Sequence, residues 1–422
     1  MYSVKICLFL INLLGIASFA QELGNITIYN TNNSELNYNT INCLEFDDLN
    51  RLWIGTNNGL SILNEIDNSW INIGYDILES NITTLHHNTI NGMSSMFIGT
   101  MNGIKQVSWD SDELNSNIQD WDWDNNVGNA CEPNNGLINT ILHNNSNQIW
   151  AGSTDGLCVE NLGDEGSWLI QNTENGFYSS NITKIVKSDN SDMIAIGTIN
   201  GGLITYETDF NIYYSSDSGI LDNTVLDVAF DQNNNIIICT PQAGIGVLTN
   251  SGSWIWFNTI NSDLPTNSLQ NIIIDNNNSL WITTLENGLI KYMDNNFYHY
   301  NIINSELPDN NINCMKFGPD NNLWLGTETQ GLIKIDAVET SIQQLKNPSI
   351  NIWPNIFDDK INIQIDQAAT IYMLNLDGQI IEKYIFKAGY NNINTDKYKS
   401  GLYILIVESN NDISIKKLVK PY

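Results

Sequence analysis

The chain has 422 residues, of which 17 are basic and 47 acidic, so its formal net charge at pH 7 is −30. This acidity excludes nucleic acid as a class of partner, because phosphate binding requires basic side chains. Only one arginine, Arg51, is present, which also excludes a site built on an arginine cluster. The apolar fraction of 42%, with 12 Trp, 17 Tyr and 12 Phe, excludes a disordered chain.

Residues 1–20 have the pattern of a signal peptide. Lys5 precedes an apolar run, residues 6–16, that is too short to span a bilayer. Small residues at 17–20 are typical of a cleavage site before Gln21. The alternative is a buried N-terminal strand or helix. No later stretch reaches the ~18 consecutive apolar residues of a membrane helix, so we expect Sec export to the periplasm and no membrane span.

The strongest feature of the sequence is a phrase that recurs seven times. Its first copy, LWIGTNNGL, begins at Leu52, and the others begin at residues 96, 149, 194, 236, 280 and 323. Each copy carries a turn glycine, and successive turn glycines are 44, 53, 46, 42, 44 and 43 residues apart. Every unit predicts four short strands, with a polar turn, an Asn-Gly type turn and an aromatic outer strand.

Seven units of four strands each predict a seven-bladed β-propeller. The sequence also predicts how the ring closes. The stretch NSEL occurs at residues 33–36 and again at residues 304–307. This alignment places residues 26–29 in the position of an outer strand, which the last unit lacks. We therefore expect the N-terminal strand to complete the last blade and remove an exposed edge. An open solenoid is the alternative.

These phrases resemble the two-component regulator propeller repeat, found in the extracellular part of hybrid sensor kinases of Bacteroidota-type bacteria. The resemblance covers about residues 25–340 and implies the propeller fold. In the sensors, paired propellers precede a membrane helix and kinase modules and detect glycan fragments. This chain has one ring and no kinase motif, so the signalling function does not carry over, and glycan recognition is implied less directly.

A break in composition marks a second domain. Residues 21–345 hold seven basic and 39 acidic side chains, whereas residues 346–422 hold nine basic and eight acidic ones. The sequence therefore predicts a propeller over 21–345 and a separate domain over 346–422. In the second domain, alternating strands and an Asp-Gly turn at Asp377 predict a small immunoglobulin-like β-sandwich.

The order of pieces in residues 346–422 resembles the type A C-terminal sorting domain of the type IX secretion system. Ile356 stands where the family has a second proline and Gln379 where it has a lysine. The residues that match the sorting motif are Pro354, Asn355, Phe357, Gly378, Gly401, Tyr403, Lys416 and Lys417. The resemblance implies contact with the type IX secretion machinery, then release or attachment at the outer-membrane surface. A generic sandwich domain is the alternative.

Five cysteines remain after Cys7 is removed with the signal peptide, and their spacings match no metal or redox motif. Cys43, Cys239 and Cys314 occupy apolar strand positions, so we expect them to be buried. Cys131 and Cys158 are a candidate disulfide. The adjacent His86 and His87 would point to opposite faces of a strand, which disfavours a shared metal ion, so we predict no metal site and no cofactor.

The second unit carries the longest insertion, and aromatic residues alternate there with carboxylates. The candidate ligand-binding residues are Trp109, Asp120, Trp121, Asp122, Trp123 and Asp124. Aromatic rings stack on apolar sugar faces and carboxylates accept hydroxyl hydrogen bonds; the same oxygens suit Ca²⁺. The alternative is structural, because Trp121 or Trp123 occupies the position that Trp70 fills in the first unit. Asn/Asp turns at 231–235, 275–279 and 319–322 are predicted as hairpin turns.

We therefore predict an exported, secreted or surface-attached propeller without catalytic residues, which binds a glycan or another extracellular macromolecule. Two alternatives belong to other classes. A propeller lyase or hydrolase would show unlike ionisable groups clustered at one channel mouth. A structural or adhesive surface protein would show a broad acidic face and no concave pocket.

Overall fold

The structure is a computed structural model that describes residues 23–73, 81–90, 93–101, 103–109, 119–120, 137–144, 148–160, 168–216, 218–336, 351–353, 359–365, 367–375, 380–409 and 412–420. Contacts divide the chain into two compact units, Met1–Val338 and Glu339–Tyr422. The predicted signal peptide lies outside the described residues, as does the predicted domain boundary between residues 345 and 346, so both stay predictions.

Within the described residues of the first unit, every regular element is a short β-strand. Its strands are β1 (Ile26–Tyr29), β2 (Ile41–Phe46), β3 (Leu52–Thr56), β4 (Gly59–Asn64), β5 (Ser69–Ile73), β6 (Ile82–Ile90), β7 (Met93–Thr100), β8 (Gly103–Trp109), β9 (Gln119–Asp120), β10 (Ile138–His143), β11 (Ile149–Ser153), β12 (Leu157–Glu160), β13 (Trp168–Gln171), β14 (Ile182–Lys187), β15 (Ile194–Thr198), β16 (Leu203–Tyr206), β17 (Phe210–Tyr213), β18 (Asp227–Phe230), β19 (Ile236–Cys239), β20 (Ile245–Leu248), β21 (Trp254–Phe257), β22 (Leu269–Ile274), β23 (Leu280–Thr284), β24 (Leu289–Met293), β25 (Asn296–Tyr300), β26 (Ile312–Phe317), β27 (Leu323–Thr327) and β28 (Leu332–Ile335).

These strands form seven four-stranded antiparallel sheets, which confirms the predicted seven-bladed β-propeller. Blades 1 to 6 each use four consecutive strands, from β2–β5 to β22–β25, and blade 7 consists of β26–β28 with β1. The register pairs Ile26 with Ile335 and Tyr29 with Leu332. The N-terminal strand therefore completes the last blade, as the sequence predicts, and covers the edge that β28 would otherwise expose.

The glycine in the middle of the repeated phrase allows neighbouring blades to approach closely. A Cβ atom built on Gly55 would lie 2.6 Å from Cγ2 of Ile82 in blade 2, and one built on Gly326 would lie 2.5 Å from Cγ2 of Ile41 in blade 1. No real side chain tolerates such distances without displacing its neighbours. The glycine thus makes room for the residue that begins the first strand of the next blade.

The turn within the repeated phrase is held by the same hydrogen bond in all seven blades. The hydroxyl of the Thr or Ser before the turn donates to the carbonyl of the turn glycine, at 2.7–3.1 Å. Each of these glycines has φ between 82° and 147°, the left-handed region that side chains disfavour. In the turns at the other end of the blades, Oδ1 of Asp231 and of Asp275 accepts hydrogen bonds from backbone N–H groups of the same turn, as predicted for hairpin turns.

The second unit is a small β domain of two antiparallel sheets. Its strands are β29 (Asn351–Trp353), β30 (Lys360–Ile365), β31 (Ala369–Leu374), β32 (Ile380–Phe386), β33 (Gly389–Asn394), β34 (Gly401–Ser409) and β35 (Asp412–Lys420). One sheet has the order β29-β30-β33 and the other β32-β31-β34-β35. Ile361 and Ile363 of the first sheet share one core with Ile371 and Leu405 of the second, so the sheets pack face to face.

Candidate functional site

A cavity of about 640 Å³ lies where the inner strands of blades 1 to 4 begin. Three positions of the repeat form its wall. The first strand of each blade is its inner strand, and the residue just before it gives the wall residues Asn81, Leu137 and Asn181. The second residue of the inner strand gives Asn42, Thr83, Asn139 and Thr183. The turn between the second and third strands of a blade gives Asn57, Met101, Thr154 and Ile199. Because inner strands surround the propeller axis, we call this space the mouth cavity.

In five blades, an Asn or Thr at the second position of the inner strand links the blade to the next one. In blades 1 to 4, the side chains of Asn42, Thr83, Asn139 and Thr183 donate to a backbone carbonyl of the following blade, at 2.5–2.8 Å. In blade 7, Asn313 at the same position makes this kind of bond at 3.1 Å. In blade 6, Asn271, the third residue of β22, makes it at 2.9 Å. This inter-blade belt therefore crosses six of the seven junctions of the ring.

The belt is broken at the junction between blades 5 and 6. Leu226 occupies the corresponding position and has no donor in its side chain. There, Oδ2 of the buried Asp227 accepts from the backbone N–H of Ile272 at 2.9 Å instead. Burial raises the pKa of Asp227, while Lys184, whose Nζ lies 3.9 Å from Oδ1, opposes that rise.

Two lining side chains keep their hydrogen-bonding groups available. Among the described residues, the side-chain amides of Asn81 and Asn181 form no hydrogen bond, and both residues are half-buried. Each amide offers two donor hydrogens and one acceptor oxygen. Met101 is 50% exposed and supplies apolar surface beside them. The mouth cavity thus combines neutral hydrogen-bonding groups with aliphatic surface.

The predicted ligand residue Trp109 lies elsewhere in blade 2. It ends β8, whereas Met101 lies in the turn before Gly103 begins that strand, so Trp109 is at the opposite end of the blade from the mouth cavity. Its ring is 2% exposed and stacks on Trp53, with centroids 5.4 Å apart. The indole N–H donates to Oδ1 of Asp48 at 3.1 Å. Trp109 therefore packs between blades 1 and 2, and its role in ligand binding stays a prediction.

The other predicted ligand residues lie largely outside the described residues. The backbone of Asp120 is described as the last residue of β9, where it pairs in register with Lys105. Trp121, Asp122, Trp123 and Asp124 are not described, and neither is Cys131 of the candidate disulfide. Their roles in glycan binding or disulfide formation stay predictions. Cys43, Cys158 and Cys239 are buried, as expected for the first and last of them, and Cys314 is partly buried.

The sorting-motif residues are only partly described. Gly401 begins β34, and the hydroxyl of the buried Tyr403 donates to the carbonyl of Lys399 at 2.6 Å. Lys416 and Lys417 lie on β35, opposite Leu405 and Ile404 of β34. The remaining predicted residues, Pro354, Asn355, Phe357 and Gly378, fall outside the described residues.

The sequence interpretation missed the residues of the mouth cavity. The available signal was the repeated pair of an aliphatic residue and Asn or Thr at the start of inner strands, such as Ile41-Asn42 and Ile182-Thr183. In a chain rich in asparagine, these residues resemble turn residues. Their common position at the axis follows only from the ring geometry.

Family models match both units. The model of the secretion system C-terminal sorting domain matches residues 351–421. The model of the two component regulator propeller matches residues 35–58 and 306–329. The chain joins regulator-propeller repeats to a sorting domain. Both resemblances stated from the sequence are thereby confirmed, and the sorting domain assigns the protein to the exported proteins that are secreted or held at the cell surface.

Three solved structures from two bacteria share the fold of this chain. The extracellular domain of BT3049 from B. thetaiotaomicron, described as a hybrid two component system, is 15% identical, with a TM-score of 0.62 over 94% of this chain and 57% of that one. That of BT4673 from the same organism is 13% identical, with a TM-score of 0.58 over 95% and 60%.

A third structure is PorZ, described as an essential surface component of the type IX secretion system of Porphyromonas gingivalis. It is 14% identical, with a TM-score of 0.55 over 92% of this chain and 60% of that one. At these identities the likeness shows the fold alone, and this chain spans only 57–60% of the length of the three structures. No curated protein matches the sequence significantly.

Two features of the described residues bear on the expected partners. No helix there is long and apolar enough to cross a membrane. No group of three or more His, Cys, Asp or Glu side chains in that part of the chain comes together in a way that could hold a metal ion. The prediction that the protein works without a cofactor, with Ca²⁺ as the alternative, stays a prediction.

Proposed function

We propose that this protein is a non-catalytic glycan-binding propeller, delivered by its sorting domain to the cell surface or the surrounding medium. The mouth cavity carries the proposal. Its described wall consists only of amide, hydroxyl and aliphatic side chains, from residues such as Asn81, Thr154, Asn181 and Ile199. The volume of about 640 Å³ lies within the range of roughly 300–1,000 Å³ that is typical of ligand pockets.

Sugar chemistry matches this wall. A sugar hydroxyl both donates and accepts a hydrogen bond, as does the pair of groups on an asparagine amide. The apolar C–H faces of a sugar ring need aliphatic or aromatic surface, which Met101, Leu137 and Ile199 supply. Recognition at this site therefore requires no charged group.

Catalysis on a glycan would require groups that this wall lacks. Glycoside hydrolysis uses two carboxylates, and general acid–base chemistry uses a group that titrates. No described residue that lines the mouth cavity has a titratable side chain. This favours binding over the alternative of a propeller lyase or hydrolase.

The sorting domain and the resemblance to a surface component support export through the type IX system. We infer that the secretion machinery is one partner, through residues 346–422, and that a glycan is the other, through the propeller. Sec export directed by residues 1–20 would precede the type IX step.

The experiment is an array of bacterial, algal and host glycans probed with residues 21–422. We expect saturable binding, weakened at least tenfold in the double variant Asn81→Ala, Asn181→Ala. Asn277→Ala is the matched control, because Asn277 is an exposed asparagine in the β22–β23 turn on the opposite face. Equal loss in the control, or no loss in the double variant, would contradict the site. New reducing ends or unsaturated products would contradict the non-catalytic assignment.

A further inference from the structure

We infer that the mouth cavity selects electrically neutral glycans and rejects glycans that carry uronate or sulfate groups. This inference rests on the proposed function and narrows the class of ligand at the same site. It follows from where the positive charges of the propeller lie, and from what they already contact.

Recognition of a carboxylate or sulfate normally uses a guanidinium or ammonium group, because hydrogen bonds between charged partners are the strong ones. No lysine or arginine is among the described residues that line the mouth cavity. An anionic sugar placed there would lose water from its charged group and gain only neutral donors, such as the amides of Asn81 and Asn181.

Four of the seven cationic side chains of residues 21–345 are already paired with carboxylates. Nε of Arg51 lies 2.6 Å from Asp47, and Nζ of Lys316 lies 2.7 Å from Glu45. The other two pairs are Lys184 with Asp227, at 3.9 Å, and Lys334 with Glu65, at 2.5 Å. Binding an anionic ligand through any of them would compete with a carboxylate that the fold holds in place.

The remaining three cations are not among the residues of the cavity wall either. Nζ of Lys187 donates to the carbonyl of Ser188 at 3.2 Å. Nζ of Lys291 lies 4.6 Å from the ring centroid of Trp281, a cation–π contact in blade 6. Lys105 lies on β8, in register with Ile98 and Asp120, and is not among the residues of the wall.

The net negative charge of the propeller also disfavours binding of anionic glycans. Residues 21–345 carry 39 acidic against seven basic side chains. Glu328 lies in the corresponding turn of blade 7, where Oε2 accepts from Asn313 of the inter-blade belt at 2.9 Å. A polyanion approaching this face is therefore repelled, most strongly at low ionic strength, since the screening length shortens from about 30 Å at 0.01 M salt to about 8 Å at 0.15 M. A neutral glycan is unaffected by this field.

The test uses neutral oligosaccharides and the same oligosaccharides oxidised at C6 to uronates, titrated into residues 21–422. The probes are gluco-, galacto-, manno- and N-acetylglucosamino-oligosaccharides of six units. We expect at least one neutral series to bind, and its oxidised form to bind at least tenfold more weakly at 20 mM NaCl. The ratio of the affinity for the neutral form to that for the oxidised form should decrease at 500 mM NaCl, while the affinity for the neutral form stays constant.

A charge-insertion variant makes the inference specific to the site. Asn181→Lys places an ammonium group on the cavity wall, so it should improve binding of the oxidised oligosaccharide at least fivefold at 20 mM NaCl. Asn277→Lys adds the same charge on the opposite face and serves as the matched control. An equal gain in both variants would assign the effect to net charge and overturn the claim about the cavity.

The outcomes separate the two proposals. Oxidised oligosaccharides that bind as tightly as the neutral ones, or more tightly, would overturn the selection for neutral ligands and leave the glycan-binding function standing. Failure of every neutral and oxidised series to bind would overturn the glycan-binding function itself, and the selectivity with it.

Discussion

Two histidines stack face to face between blades 2 and 3. The ring centroids of His86 and His143 are 5.1 Å apart, with 11° between the planes, and Phe97 lies 4.6 Å from the ring of His143. Both ring nitrogens of His143 are buried without a hydrogen-bond partner. Burial lowers the pKa of both histidines to about 3, with smaller contributions from Lys316, His87 and Lys184 on His86, and from His86 on His143.

This pair predicts a propeller that is sensitive to mild acid. An unfolded chain binds protons at histidine near pH 6.5, whereas the folded chain does not until about pH 3, so stability falls as the pH drops through 6.5. Each histidine contributes a slope of about 1.4 kcal/mol per pH unit below that value. We expect the free energy of unfolding, measured in urea between pH 7 and 5.5, to decrease accordingly.

The variant that checks this is His143→Phe, because blades 1, 5 and 7 place Phe46, Phe230 and Phe317 at the corresponding position of the inner strand. It should remove about half of the pH-dependent loss between pH 7 and 5.5 and leave the fold intact. Measurements between pH 7 and 8, where histidine is neutral in both states, are the control. Parallel curves for the parent and the variant over the acid range would contradict the assignment.

At the scale of elements, ring closure was predictable because it leaves a trace in sequence order. The last unit lacks an outer strand and the N-terminus supplies one in phase, so the alignment of residues 33–36 with 304–307 already indicates the pairing of β1 with β28. The inter-blade belt left no comparable trace. Asn42 and Asn313 find carbonyl acceptors in other blades, and a sequence pattern does not show which backbone group lies across a blade interface.

Removal of β1 therefore predicts a large loss of stability. A chain that begins at residue 31 loses four register pairs with β28 and the packing of Ile26, on the order of 4 kcal/mol at about 1 kcal/mol for each hydrogen bond. Relative to a chain that begins at residue 23, its melting temperature should fall by several degrees. A peptide of residues 21–30 added in trans should restore part of the loss. Equal melting temperatures for the two chains would contradict the closure.

At the scale of the whole molecule, the sequence was sufficient for the fold because periodic strands and turn glycines repeat seven times. It was insufficient for the site, because the mouth cavity combines two or three residues from each of four blades. Asn57 and Ile199, for example, are separated by 142 positions and line the same space. The candidate residues chosen from the insertion, such as Trp121, could not be placed by periodicity because the insertion interrupts it.

We expect the second unit to direct export and the propeller to have no part in it, which can be measured in cells that possess type IX secretion. The chain without residues 346–422 should accumulate in the periplasm, and the full chain should appear at the surface or in the medium, because the sorting domain is the matched export module. A reporter fused to residues 346–422 should be exported, and the same reporter without them should not. Export of the truncated propeller would contradict this role of the sorting domain.

The most direct test of glycan binding at the mouth cavity is a crystal structure of residues 21–422 with the neutral oligosaccharide that binds best. We expect sugar density over blades 1 to 4, with ring hydroxyls within hydrogen-bonding distance of the amides of Asn81 and Asn181 and apolar ring faces on Met101 and Ile199. Density at another surface, with the mouth cavity filled only by solvent, would contradict it.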